Sequence, residues 1–326
     1  MLYPLRFTPL YFEKVWGGRR LESLLGRQLP PNEPIGESWE VSDHPHGKSV
    51  VANGTEKGKT LHELIKQYGA SLLGTRVARE SQDKFPLLIK YIDASDKLSV
   101  QVHPNDAYAE KHEGELGKTE MWYILHAEPN SCLIVGLNEG VTAEQFHEAL
   151  QHGDPSALLY HMPVKTGDSI FIPSGRIHAI MPGLVILEIQ QNSDTTYRLY
   201  DWGRVGLDGK PRTLHIKQAM DVSNWSDYTP KPSISQSEAD KALGKTVLAT
   251  CDYFVVEKYE LDSPKEFITD GGSFYILNCV AGDGKLVWDG GEEALTYGDT
   301  LLIPASITKF SLQPNDSSSY VLSYVP

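Results

Sequence analysis

Two stretches of this chain, Gly167-Asp-Ser-Ile-Phe-Ile-Pro173 and Gly298-Asp-Thr-Leu-Leu-Ile-Pro304, repeat one phrase at a spacing of 131 residues. A Gly-Asp turn, a short apolar run and a closing proline describe a strand with a turn at each end. Upstream, Tyr123-Ile-Leu125 is echoed by Tyr275-Ile-Leu277 at a spacing of 152. The two spacings differ by 21, close to the length of a helical stretch at about 142–162. One insertion in the first copy reconciles them, so the chain reads as two copies of one β-unit, the first enlarged.

The rest of the sequence agrees with mainly β structure. Apolar runs at 85–92, 98–103, 121–127, 131–137, 167–173 and 184–191 read as strands, and strand signals return after residue 245. Twenty prolines, 28 glycines and 16 tyrosines suit short strands joined by turns. Helical signals are local. Thr60 with Glu63 forms a capping box before an apolar face of Leu61, Leu64, Ile65, Tyr68 and Leu72. Thr142 with Gln145 opens the insert, which breaks at Asp154-Pro155. Between 226 and 245 the text turns to Ser, Pro and Lys, which reads as a linker. The expected organisation is therefore a domain over 1–225 with a helical insert at about 142–162, a linker at 226–245, and a second domain over 246–326.

A net charge of −13 argues against a nucleic-acid partner but not against one small anion in a cleft. Cys132, Cys251 and Cys279 are too few and too scattered for a disulfide framework or a CxxC metal site. The first residues carry charges too early for a signal peptide, and no apolar run reaches about 18 residues. The expectation is a cytoplasmic protein with no membrane segment and no implied protein partner.

The segment Gly167-x5-Pro173-x-Gly175-x2-His178 is similar to the second sequence motif of the cupin superfamily. That resemblance implies two cupin-type (jelly-roll) β-barrels, with His178 inside the first and bound to metal. One histidine is not a site, but two other segments add to it. Gln101 and His103 stand two apart on a strand and so share a face, as do Lys118 and Glu120 just before an apolar strand. Buried charges there are costly unless paired or metal-bound. Two histidines, a carboxylate and an amide oxygen suit zinc, with iron or manganese as alternatives. By the two spacings, His178 corresponds to Lys309 and Glu120 to Gly272, so the second copy keeps the turns and loses the ligands. His147-Glu148 with His152 is not a zinc motif, because histidines five apart diverge on a helix.

Leu98-Ser-Val-Gln-Val-His-Pro104, Lys118-Thr-Glu-Met-Trp-Tyr123, Pro173-Ser-Gly-Arg-Ile-His178 and Thr196-Tyr-Arg198 together resemble type I mannose-6-phosphate isomerases. Gly36-Glu-Ser-Trp-Glu-Val-Ser42 and Trp16-Gly-Gly18 look like the short bacterial branch. The resemblance implies zinc-dependent interconversion of mannose 6-phosphate and fructose 6-phosphate through an enediol, with one ion per chain. It maps metal ligands onto His103, Glu120 and His178, with Gln101 as a fourth. It also maps the active-site arginine onto Arg198, and substrate contacts onto Lys118 and Ser99. Arg176 and Lys90 are further phosphate candidates, and Asp201 or Asp194 is the ionic partner Arg198 would otherwise take. The alternatives are another cupin enzyme, either an iron dioxygenase or a different sugar isomerase, and a sugar-binding protein without turnover.

Overall fold

Both capping boxes close in the computed structural model, which describes residues 2–81, 84–228, 240 and 243–326. The Thr60 hydroxyl accepts from the Glu63 N–H and the Glu63 carboxylate accepts from the Thr60 N–H; the helix Leu61–Tyr68 then buries Leu61, Leu64 and Ile65. Thr142 and Gln145 do the same for Ala143–His152, which ends at Gly153 in the left-handed region. The insert does not stay helical to 162. Beyond Pro155 the chain turns into the strand Leu159–Pro163, which pairs with Cys132–Leu137 and buries Leu159 and Met162.

One compact unit comprises residues 11–38 and 90–232. Its five-stranded sheet runs in the order Leu159–Pro163, Cys132–Leu137, His178–Ile180, Val100–Val102, Tyr197–Tyr200. A six-stranded sheet runs Ser169–Ile172, Glu120–Ala127, Leu184–Gln191, Leu87–Ala94, Ile35–Val41, Leu10–Gly18. Alternate residues of the two sheets meet in one core: Leu133, Val135 and Ile180 from the first, Ile92, Trp122, Ile124, Ile170 and Ile186 from the second. The opposite face of the five-stranded sheet is covered through Phe146 and Ala219 of the helices Ala143–His152 and Ile216–Val222.

The other unit comprises residues 1–10, 39–89 and 233–326. Its five-stranded sheet runs Lys245–Thr250, Val255–Leu261, Ser318–Tyr324, Tyr275–Ala281, Thr300–Ile303, and its four-stranded sheet runs Lys265–Ile268, Lys309–Pro314, Gly284–Trp288, Gly291–Leu295. Leu277, Leu301 and Leu322 from one sheet pack on Leu286, Phe310 and Leu312 from the other. The single division expected near 226–245 is thus replaced by a discontinuous one, because early segments join the C-terminal sheets. Leu5 exchanges backbone hydrogen bonds with Leu302 (2.8 and 2.9 Å), and the Phe274 N–H donates to Leu73 O at 3.0 Å. The expected linker lies mostly outside the described residues. Among those residues, each facing pair of sheets is hydrogen-bonded within its sheets and not around an edge, so the architecture is facing open sheets where closed barrels were expected.

The internal repeat is present, and its register corrects the upstream match. Gly167 N–H donates to Ile124 O and Ile124 N–H to Asp168 O, both at 2.9 Å; in the second copy Gly298 donates to Cys279 O (2.9 Å) and Cys279 to Asp299 O (3.0 Å). Each turn aspartate accepts from the N–H three residues earlier, Asp168 from Lys165 and Asp299 from Thr296. Gly167 and Gly298 both adopt left-handed φ, +91° and +88°, which favours glycine. Ile124 therefore matches Cys279, and the Tyr-Ile-Leu echo is three residues out of register. Ile172 faces Glu120 in the first copy, and Ile303 faces Tyr275 in the second. The counterpart of Glu120 is Tyr275, not Gly272. Lys309 is exposed, and the core-facing place corresponding to His178 is taken by the next residue, Phe310.

Candidate metal centre and active site

Three segments bring the candidate ligands together. His103 follows the strand Val100–Val102, Glu120 opens Glu120–Ala127, and His178 opens His178–Ile180. Gly175 N–H donates to His103 O at 2.9 Å, and Lys118 N–H donates to Pro104 O at 3.0 Å, so the turns before Glu120 and His178 are tied to the His103 segment. Nε2 of His178 lies 3.3 Å and Nε2 of His103 3.6 Å from Glu120 Oε1, and the three ligand atoms lie within 4.8 Å of one another. All three side chains are at most 1% exposed.

Protonation is set by the neighbours. His103 Nδ1 is 2.9 Å from Thr195 O and His178 Nδ1 is 2.9 Å from Arg176 O. A carbonyl is satisfied there only by an N–H, so each Nε2 turns a lone pair toward Glu120. Burial keeps both rings neutral: it pushes His178 down to about 3, and burial with the Lys118 charge pushes His103 well below its ordinary value. Burial opposes ionisation of Glu120, but the Lys118 charge outweighs it and holds the carboxyl below its usual range. Lys118 Nζ sits 3.0 Å from Glu120 Oε2 and 3.2 Å from His103 Nε2; burial works against its charge, and Glu120 and Glu188 raise it regardless. Glu120 Oε1 has no hydrogen-bond donor. A fully buried carboxylate oxygen without a donor, beside two imidazole lone pairs, is an environment that a divalent cation would satisfy.

A cavity of about 270 Å³ adjoins this cluster. Gln101 and Lys118 touch both: the Gln101 amide is 3.3 Å from His178 Nε2, and both residues line the cavity. Ser99 and Arg198 line it too, joined in series: Ser99 Oγ donates to Gln101 Oε1 (3.2 Å) and Arg198 Nε donates to Ser99 Oγ (3.2 Å). Arg198 donates to Ser99 Oγ and to Thr213 O, and Asp201 is occupied by Arg204 and Arg212. Arg176 is withdrawn from the phosphate candidates, since its guanidinium is held by Asp227 (2.6 and 2.9 Å) and Phe171 O (2.7 Å). Lys90 lines the cavity, 3.5 Å from Glu188 and 3.8 Å from Glu37. The sequence reading did not single out Glu188, which accepts from Trp122 Nε1 at 2.9 Å and has its pKa raised by burial and then by Glu120. A carboxylate in the middle of the apolar strand Leu184–Gln191 was the available signal. Lys14, Arg212 and His215 also line the cavity, from segments that carry no local motif.

The comparisons with known proteins fit this geometry. The mannose-6-phosphate isomerase of Streptococcus mutans is 39% identical over 94% of this chain and 94% of its own length. The chain belongs to the type I mannose-6-phosphate isomerase family. The model for the type I phosphomannose isomerase catalytic domain matches residues 5–127, and that for the mannose-6-phosphate isomerase cupin domain matches 244–323. The mannose-6-phosphate isomerase ManA of Bacillus subtilis is 39% identical over 95% of this chain and 96% of its own. The crystal structure of the mannose 6-phosphate isomerase from Bacillus subtilis covers 99% of both chains at a TM-score of 0.86 and 34% identity. Among the described residues of this family member, no helix is long and apolar enough to cross a membrane.

Proposed function

We propose that the chain interconverts mannose 6-phosphate and fructose 6-phosphate through an enediol, in a site holding one zinc ion per chain. His103, Glu120 and His178 would hold the ion, and Gln101 would join them with its amide turned so that the oxygen faces His178 Nε2. The observation that carries the reading is the buried His-Glu-His cluster joined through Gln101 and Lys118 to a cavity lined by cationic side chains. Bound metal would supply positive charge where negative charge develops on the sugar oxygens.

The chain's own residues supply the rest. Lys118, against the cluster, donates to sugar oxygens at the reacting end. Ser99 and Gln101 connect that end to Arg198, whose planar guanidinium stabilises the enediolate oxygens. Catalysis belongs to the unit of residues 11–38 and 90–232. The C-terminal copy is a metal-free cupin-type domain, and the facing sheets of each unit are its version of a jelly-roll barrel. The scattered cysteines are in keeping with a cytoplasmic location.

Arg198→Ala should keep its metal and lose turnover on mannose 6-phosphate, whereas His178→Ala should lose both. Full activity in Arg198→Ala would remove its assigned role. Oxygen consumption by an iron-loaded protein would favour a cupin dioxygenase. Sugar binding without turnover after metal reconstitution would favour a binding protein.

A further inference from the structure

Arg176, withdrawn as a phosphate contact, is placed where it can govern a candidate metal ligand. Pro173-Ser-Gly-Arg176 is a tight turn: Arg176 N–H donates to Pro173 O at 3.2 Å, and Gly175 has φ +86°, left-handed as the third residue of a type II turn must be. The Arg176 carbonyl then accepts the His178 Nδ1–H at 2.9 Å. The orientation of that one peptide group decides where His178 points its Nε2 lone pair.

The side chain of the same residue holds the turn from outside. Arg176 Nε and Nη2 donate to the two oxygens of Asp227 (2.6 and 2.9 Å), and Nη1 donates to Phe171 O at 2.7 Å. Each anchor leads to another part of the site. Phe171 pairs with Met121, beside Glu120, in the six-stranded sheet. Asp227 O accepts from the Leu137 N–H at 3.1 Å, on the strand whose Val135 faces His178 in the five-stranded sheet. The guanidinium therefore braces the turn before His178 against the strand beside Glu120, although the two ligands belong to different sheets. Glu120 Oε1 and His178 Nε2 stand 3.3 Å apart across that brace. Arg176 and Asp227 are each 14% exposed, and neither lines the cavity. A planar, bidentate pair fixes direction as well as distance.

We infer that Asp227 is a positioning residue for the metal centre: by holding Arg176 it fixes the carbonyl that orients His178, and so sets the affinity of the site for its divalent ion. The inference rests on the metal reading of the His103, Glu120 and His178 cluster. His103 is oriented separately, through Thr195 O, and supplies an internal control.

The test uses the full chain and two readouts: zinc affinity by competition with a chromophoric chelator, and the Nδ1–H signals of isotope-labelled histidine in the metal-free protein. Asp227→Ala should weaken zinc binding by about ten- to a hundredfold, the scale of losing an outer partner of a ligating histidine. The His178 Nδ1–H should then exchange faster with water, while the His103 signal stays as in wild type. Asp227→Asn keeps one acceptor oxygen and should recover part of the affinity. Arg176→Lys keeps the charge without the fork, so it should weaken zinc binding nearly as much as Asp227→Ala. The inference is overturned if these variants bind zinc as tightly as wild type, or if the two histidine signals change together. Should Asp227→Ala fail to fold, Asp227→Asn and Arg176→Lys decide the question by the same criteria. A wild type that takes up no zinc, yet whose His178 signal still depends on Asp227, would overturn the metal reading and leave the positioning of His178 standing.

Discussion

The two copies of the β-unit share their turns down to single hydrogen bonds and differ in what those turns present. In the first, Glu120 and His178 stand 3.3 Å apart with Gln101 beside them. In the second, the matching places hold Tyr275 and Phe310, with ring centroids 6.1 Å apart, and Phe267 stacks on Phe310 at 5.0 Å. Gln101 pairs across to His178 as Phe267 pairs to Phe310. An aromatic trio therefore occupies the positions of a polar one. The fold does not need His, Glu and Gln there, and a buried ion-pair cluster is no more stabilising than well-packed apolar groups. The polar set is accounted for by the divalent cation it could hold.

That contrast can be broken most sharply at matched positions. His178→Ala should lose bound metal and reduce turnover on mannose 6-phosphate by about a thousandfold or more, the scale of several kcal/mol of lost charge stabilisation. Phe310→Ala, at the matching place, should leave metal content unchanged and lower stability by about 3–5 kcal/mol in denaturant unfolding. If Phe310→Ala removed metal instead, the division between the copies would be wrong. Trp122 matches Leu277 and adds one polar link, to Glu188. Trp122→Phe should cost about 1.5–3 kcal/mol by leaving that carboxylate oxygen without its donor, as read by thermal melting. The helical insert has no partner in the second copy, and its cap can be tested alone. Thr142→Ala should cost about 1 kcal/mol and leave kcat unaltered.

Much of this was legible in the sequence because the signals were local. Gly167-Asp168 and Gly298-Asp299 fix φ and side-chain acceptors within a few residues, and both capping boxes lie within four. Two-residue spacing on a strand is enough to put Gln101 on one face with His103, and Lys118 with Glu120. The register between copies was not legible, since a Tyr-Ile-Leu echo cannot compete with backbone pairing that is seen only in the folded sheet. Nor was the unit boundary: what commits Leu5 and Leu73 to the C-terminal sheets is hydrogen bonding to Leu302 and Phe274, hundreds of residues away. The cavity shows the same limit. Glu188 could have been flagged as a charge in an apolar strand, but Lys14, Arg212 and His215 meet only through tertiary structure.

The central claim is that one copy carries a single metal centre on which isomerisation depends. Metal content and isomerase activity on mannose 6-phosphate, measured on the same purified protein before chelation, after it and after metal return, test that claim directly. The account predicts about one divalent ion per chain, activity lost with the ion and restored with it. Undiminished activity in metal-free protein, or two ions per chain, would contradict it.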